Sequence, residues 1–215
     1  MSSEVAETLR MTDSLGLGDA SEKNSSSPVS LVERARAGEA AAFEQIITCY
    51  QRKVMSTAWR MLGNQEDARD AAQEVFLRAY KYLGSFRADQ EFAGWLYRIV
   101  INVCRDHARK RSRHDHFSSF EAEQERGAFD SLASGENVEA AAIKSQERAL
   151  IAAALNTLSK KERAAIVLRD LEGLPTEEVA RVLGTSQATV RSQVASARAK
   201  IKLYRDRVLK QKRRG

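Results

Sequence analysis

The chain has 215 residues, 43% of them hydrophobic, and a formal net charge of +6 at pH 7. That length can bury two small cores. Because only two prolines and little strand-like alternation occur, the sequence predicts an all-α protein with two helical domains joined by a flexible linker. The first thirty residues are acidic and no apolar run of about eighteen residues occurs, so we expect no secretory signal, no membrane insertion and a cytoplasmic location.

Residues 1–28 are polar and acidic and contain few aromatic side chains. We therefore predict a disordered extension over this stretch. Cys49 and Cys104 are far apart and form no Cys-x-x-Cys pair, so we expect two reduced, buried thiols and no disulfide. The neighbouring histidines do not complete a four-ligand spacing, and we predict neither a metal site nor a cofactor.

Residues 29–113 are predicted to form the first helical domain, because apolar side chains recur there at helical spacing. Within it, the helix predicted over residues 65–83 carries a polar ridge opposite its apolar face. The ridge consists of Asp67, Asp70, Gln73, Glu74 and Leu77. A leucine among carboxylates is typical of a surface that contacts a partner, whereas a solvated acidic face with one scattered leucine is the alternative from the pattern alone.

A polar loop over residues 85–91, bracketed by Phe86 and Phe92, precedes the next predicted helix. The side of that helix opposite its apolar stripe carries a set of basic and polar residues. They are Arg98, Asn102, Arg105, Asp106, Arg109 and Lys110. Cations near a helix C-terminus are favourable through the helix dipole alone. A basic stripe beside loop aromatics is also suited to a nucleic acid, with the cations on phosphates and Phe86 stacked on exposed bases.

Residues 114–137 are rich in Ser, Glu and Ala without a steady period, and we predict a linker between two domains. The helical pattern returns over residues 138–205, where Ser159-Lys160-Lys161-Glu162 matches a capping box. Residues 206–215 are predicted to form a basic tail that can hold phosphates without order. Residues 160–215 contain 15 Lys and Arg against 6 Asp and Glu, which favours a polyanionic partner.

Residues 158–200 predict a helix-turn-helix. Thr176 is predicted to cap its first helix, Gly184 to end that helix in the left-handed conformation, and Ser186 to cap the second. The buried stripe of the second helix is predicted from Val190, Val194, Ala197 and Ile201. Polar and basic side chains that can contact DNA are Gln187, Thr189, Arg191, Ser192, Ser196, Arg198 and Lys200. A helical hairpin within a core is the alternative interpretation.

Taken in order, these parts resemble the extracytoplasmic-function (ECF) group of the bacterial sigma-70 family, over about residues 30–205. Residues 67–76 resemble the family's region 2.2, which binds the β′ coiled coil of core RNA polymerase. Residues 92–102 with Arg109 resemble regions 2.3 and 2.4, which open and read the promoter -10 element. Residues 158–200 resemble region 4, which reads the -35 element.

The resemblance implies a promoter-specificity subunit that is not an enzyme. Its partners would be core RNA polymerase, through the β′ coiled coil and the β flap, promoter DNA, and an anti-sigma factor that holds it inactive. The ridge on residues 65–83 would bind polymerase, and the loop over residues 83–91 would capture a flipped-out base near Asn102. In the holoenzyme the protein would be associated with the nucleoid.

Two other functions remain open from the residues. A stand-alone transcriptional regulator of the LuxR-like type shares this kind of helix-turn-helix, but it needs a sensory or dimerising domain. A recombinase or nuclease needs a positioned nucleophile or a carboxylate metal cluster, and the Ser, His and Asp residues of this chain form no such constellation.

Overall fold

The computed structural model describes residues 28–87, 89–117 and 138–212, which fall into two separately packed units. The first unit contains α1 (Pro28–Arg36), α2 (Ala40–Leu62), α3 (Gln65–Tyr82), a 3₁₀ turn (Leu83–Ser85) and α4 (Phe92–Phe117). The second unit contains α5 (Val138–Asn156), α6 (Lys160–Ile166), a π-helical segment (Val167–Leu171), α7 (Thr176–Leu183) and α8 (Gln187–Lys212). These residues include no β-strand, which confirms the predicted all-α class.

Residues 1–27 of the predicted extension, 118–137 of the predicted linker and the last three residues lie outside the described residues. Pro28 instead begins α1, and residues 114–117 of the predicted linker belong to α4. No helix in the described part of the chain is long and apolar enough to cross a bilayer.

In the first unit α2, α3 and α4 pack against one another, and α1 packs on α2. Gly63 ends α2 with φ 82°, a left-handed conformation that glycine adopts without strain. The side chain of Asn64 then accepts a hydrogen bond from the Asp67 amide at 2.7 Å and starts α3. The centre of the core is formed by side chains no more than 1% exposed: Ile46, Val54, Val75, Leu96 and Val100.

In the second unit the predicted capping box is present. The Ser159 amide donates to the Glu162 carboxylate at 2.8 Å, and the Glu162 amide donates to the Ser159 hydroxyl at 3.3 Å. The predicted turn is present too, because Gly184 ends α7 with φ 66° and Ser186 Oγ accepts from the Thr189 amide at 3.1 Å. The predicted stripe of α8 is buried: Val190, Val194, Ala197 and Ile201 are at most 6% exposed.

Three sequence-based expectations are corrected by the structure. Pro175, not Thr176, precedes the first residue of α7, and the Thr176 hydroxyl accepts a hydrogen bond from Arg169 at 3.2 Å. Cys104 is buried, which raises the pKa of its thiol to about 12, but Cys49 is exposed. Helix α8 continues to Lys212 through part of the predicted tail, because residues 206–212 contain no Gly or Pro to end it.

Candidate protein- and DNA-binding surfaces

The ridge predicted on α3 divides between solvent and the seam with α4. Asp70, Gln73 and Leu77 point into solvent, and Leu77 is 65% exposed. Tyr80 lies one turn further along, 61% exposed, and packs its ring edge against Phe43 with centroids 4.9 Å apart. Tyr80 was not among the residues predicted from the sequence, although its spacing of three from Leu77 is a signal for it. We refer to Asp70, Gln73, Leu77 and Tyr80 as the acidic–apolar surface.

Asp67 and Glu74, the other two predicted ridge residues, instead meet basic side chains of α4. Asp67 accepts a hydrogen bond from Arg111 at 3.2 Å, and Glu74 Oε2 lies 2.9 Å from His107 Nε2. The hydrogen bond with His107, followed by that with Arg78, lowers the pKa of Glu74. These two carboxylates therefore tie α3 to α4, in addition to any contact with a partner.

Helix α4 presents most of its predicted polar residues to solvent. Exposed along it are Arg98, Asn102, Arg105, Arg109 and Lys110, which we call the α4 basic surface. Asp106 interrupts this surface and is half-buried. Its Oδ2 accepts from both Nη atoms of Arg78 at 3.1 Å, and its Oδ1 lies 3.5 Å from Arg109. Asp106 is therefore bound to α3 from behind rather than turned freely toward a ligand.

Phe86 is buried, whereas the sequence predicted an exposed ring. Its side chain is 3% exposed and packs edge-on against Phe92 and Trp95, with ring centroids 5.4 and 5.6 Å away. Edge-to-face packing of this kind stabilises the junction between the loop and α4. A buried ring cannot stack on a base, so we correct the prediction: Phe86 supports the loop from below.

The exposed start of α8 carries four of the seven predicted DNA-contacting residues. They are Gln187, Thr189, Arg191 and Ser192, and we call them the α8 polar face. The Arg191 guanidinium donates to the Gln187 side chain at 3.0 Å, so both groups lie on one side of the helix. Paired amide and guanidinium groups at the start of a helix match the donors and acceptors of a major groove.

The remaining three predicted residues of α8 bind carboxylates inside the second unit. Ser196 donates to Glu162 at 2.6 Å, and Lys200 lies 2.8 Å from both oxygens of Glu162. Arg198 makes a two-pronged ion pair with Asp170, at 2.8 and 2.7 Å. These contacts span 28 to 38 residues of sequence, so helical spacing within α8 alone cannot reveal them.

Glu162 makes the stability of the second unit dependent on pH. Its contacts with Lys200, Ser196 and Ser159 lower its pKa from 4.5 to about 2. A depressed carboxyl pKa contributes stability that is complete above the unfolded value and is lost as the pH falls toward the folded value. As the pH falls from about 5 to about 2, the free energy of unfolding of the wild-type unit should therefore decrease. The Glu162→Gln variant should be less stable than wild type at neutral pH, but it should not show this decrease.

Urea unfolding followed by circular dichroism at pH 7, 5 and 3 measures this difference. Glu177→Gln is the matched control, because it removes a carboxylate on α7 that is 68% exposed. Equal slopes of stability against pH for wild type and Glu162→Gln would contradict the assignment.

Comparison with known proteins places both units in one family. The family model "Sigma-70 region 2" matches residues 46–114, and "Sigma-70, region 4" matches residues 148–201. The chain is 35% identical over 173 residues to the RNA polymerase sigma-H factor of Pseudomonas aeruginosa, covering 80% of this chain and 90% of that protein. It is 35% identical over 176 residues to the ECF RNA polymerase sigma-E factor of Escherichia coli K12, with the same coverage.

Two solved structures resemble the fold, each with a TM-score of 0.60. CnrH, solved in complex with the cytosolic domain of CnrY, is 28% identical and covers 82% of this chain and 95% of its own. The sigma factor RpoE of Bartonella quintana, solved with the anti-sigma factor NepR, is 24% identical and covers 76% and 96%. The second likeness concerns the fold alone.

Proposed function

The chain belongs to the extracytoplasmic-function group of the sigma-70 family and directs promoter-specific transcription initiation by RNA polymerase, and we propose that its two units divide this task. The first unit binds polymerase and the -10 element, and the second binds the -35 element. The observation that carries this division is the match of regions 2 and 4, in family order, to separately packed units. As a member of this family it is an initiation factor rather than an enzyme.

A stand-alone regulator of the LuxR-like type is not favoured. Such a regulator needs a sensory or dimerising domain ahead of its helix-turn-helix. In this chain residues 46–114 match sigma region 2 instead.

The acidic–apolar surface of α3 is our candidate for the polymerase contact. Leu77 and Tyr80 expose 65% and 61% of their surface beside the Asp70 carboxylate. Exposed apolar groups next to charge complement a partner that is itself apolar and basic. By its resemblance to region 2.2, the partner is the β′ coiled coil, which would dock helix on helix. The contact of the second unit with the β flap rests on the family resemblance.

The α4 basic surface is our candidate for the -10 element. Arg98, Arg105, Arg109 and Lys110 lie along about three turns of one exposed helix, with Asn102 among them. Such a row of cations follows a phosphate backbone, and the Asn102 amide can hydrogen-bond to an unpaired base. The surface therefore suits a strand that has been separated from its complement.

The α8 polar face is our candidate for the -35 element, with Arg191 as its central residue. Ser196, Arg198 and Lys200 support this face from within the unit instead of extending it, since each is bound to Glu162 or Asp170. DNA contact then rests on fewer side chains than the sequence analysis predicted. Each of them accordingly contributes a larger share of the affinity.

We also propose that an anti-sigma factor holds this chain inactive. The support is the family resemblance, together with CnrH, which is 28% identical to this chain and was solved in complex with the cytosolic domain of CnrY. Because RNA polymerase and promoter DNA are its partners in this proposal, we infer that this chain acts in the cytoplasm and, within the holoenzyme, on the nucleoid.

In vitro transcription on genomic DNA tests the function. Core RNA polymerase supplemented with this protein should initiate at promoters that the core enzyme ignores, and mapped 5′ ends give the shared -35 sequence. Arg191→Ala should then weaken the binding of these promoters by about 1–3 kcal/mol and reduce initiation accordingly, because a guanidinium that hydrogen-bonds to a guanine contributes that much. Lys161→Ala is the control, since it removes one exposed cation from α6.

If Arg191→Ala and Lys161→Ala reduce transcription equally, the α8 polar face is not the surface that binds the -35 element. Absence of any promoter-dependent transcript would contradict the function itself.

A further inference from the structure

The contacts between acidic and basic side chains that join α3 to α4 run in two directions. Asp67 and Glu74 of α3 are carboxylates that meet the basic side chains of Arg111 and His107 on α4. The pair of Arg78 and Asp106 is reversed, with the cation on α3 and the carboxylate on α4. Arg78 was not among the residues singled out from the sequence. Its place in this seam, behind the α4 basic surface, suggests a function beyond packing.

Arg78 is fixed by contacts on two sides. Both of its Nη atoms donate to Asp106 Oδ2 at 3.1 Å, and Nη2 also donates to Glu74 one turn earlier on α3. The side chain is 33% exposed, so its position between two carboxylates is only partly screened by water. Asp106 is consequently held toward α3 through one oxygen atom.

Asp106 has a second partner in Arg109, three residues later on the same helix, whose Nη2 donates to Asp106 Oδ1. The nearest atoms of the two side chains are 3.5 Å apart, and Arg109 is 69% exposed. At 3.5 Å this contact is long for a hydrogen bond, and without Arg78 it would be the ion pair left to Asp106 and should shorten. That pair would withdraw one cation from the α4 basic surface and leave the carboxylate among the remaining ones.

We propose that Arg78 is a positioning residue for -10 DNA: it holds Asp106 against α3, which keeps the Asp106–Arg109 contact long and lets Arg109 exchange it for the phosphate backbone. The inference rests on the proposed -10 role of the α4 basic surface and deepens it. Arg78 acts through Asp106 and does not itself contact DNA. Asp106 was predicted from the sequence to bind DNA. In this proposal it instead determines whether the Arg109 guanidinium can bind a phosphate.

The test uses the holoenzyme, assembled with saturating core polymerase and checked by gel filtration. Anisotropy of a fluorescent single strand carrying the non-template -10 sequence reports affinity at several KCl concentrations. Arg78→Gln should weaken binding about fivefold and reduce the salt slope by about 0.7, the loss expected for one phosphate contact on a single strand. Lys81→Gln, which removes an exposed cation of the same helix, should change neither.

The Asp106→Asn variant separates positioning from contact and does not depend on the folding of Arg78→Gln. Without its charge the side chain no longer competes for Arg109, so Asp106→Asn should bind the strand as tightly as wild type or more tightly. The double variant Arg78→Gln/Asp106→Asn should recover the affinity and the salt slope of Asp106→Asn. A merely structural role for Arg78 predicts no such recovery.

Three outcomes would overturn the proposal. A double variant as weak as Arg78→Gln would show that Arg78 contacts DNA itself or only supports the fold. Weaker binding by Asp106→Asn would show that Asp106 contacts the strand. Arg109→Gln without effect would instead show that the α4 basic surface is not the -10 site, so that the underlying assignment failed.

Discussion

Replacing Leu77 with lysine should weaken binding to core RNA polymerase by about 2 kcal/mol or more, roughly 30-fold, because an apolar residue at the centre of a helix-on-helix contact carries energy of that order. The side chain is 65% exposed, so lysine fits the free protein without disturbing its core. In the complex, however, the ammonium group must be desolvated against a basic partner. Loss of affinity with an unchanged circular dichroism spectrum is the expected result.

A fluorescent probe on Cys49 measures this affinity directly. Cys49 is exposed, whereas Cys104 is buried and burial raises the pKa of its thiol to about 12, so a maleimide labels Cys49 selectively. The matched control is Leu209→Lys, the same exchange at a leucine of α8 that is 51% exposed. Wild-type affinity of Leu77→Lys for the core enzyme would exclude the acidic–apolar surface as the docking site.

Charge reversal on α3 is informative at Asp70 and ambiguous at Glu74. Asp70 faces solvent, so Asp70→Lys changes the charge presented to polymerase and little else. Glu74 meets both His107 and Arg78, and a lysine there would place like charges together in the seam with α4. A loss of polymerase binding by Glu74→Lys would therefore report on folding as well as on contact.

The elements that sequence alone predicted well are those determined by neighbouring residues. Gly184 ends a helix because it adopts a left-handed conformation, and Ser159 and Ser186 begin helices by accepting hydrogen bonds from the backbone amides three residues later. These contacts are local, so composition and spacing are sufficient to find them. The buried stripes of α4 and α8 follow in the same way from helical periodicity.

The predictions that needed correction depend on contacts between elements. Thr176 has the side chain of a cap, but its hydroxyl is taken by Arg169 from the preceding segment. Phe86 has the chemistry of a stacking residue, but two aromatic rings from the start of α4 bury it. Periodicity tells which side of a helix faces outward. It does not tell which outward-facing cations, such as Arg198, meet a carboxylate of another helix.

Replacing Arg198 with methionine should destabilise the second unit by about 3–5 kcal/mol, because it leaves the Asp170 carboxylate buried without a partner. The Asp170 side chain is 4% exposed and accepts both prongs of the Arg198 guanidinium. At roughly 0.05–0.15 kcal/mol per residue, the 75 described residues of this unit have about 4–11 kcal/mol of stability in total, so the loss is a large share of it. Arg191→Met is the control, since Arg191 is exposed on the same helix.

Two optical probes on the intact chain distinguish the units in this experiment. Both tryptophans, Trp59 and Trp95, lie in the first unit, so their fluorescence follows its unfolding by urea, while circular dichroism follows both units. Arg198→Met should lower the midpoint of the transition seen only by circular dichroism by more than about 1 M urea, and leave the fluorescence transition unchanged. Removing both charges in Asp170→Asn/Arg198→Met should restore part of the loss, because no buried charge then lacks a partner. Unaltered unfolding of Arg198→Met would mean that Arg198 is free to contact DNA after all, as its position on α8 alone suggested.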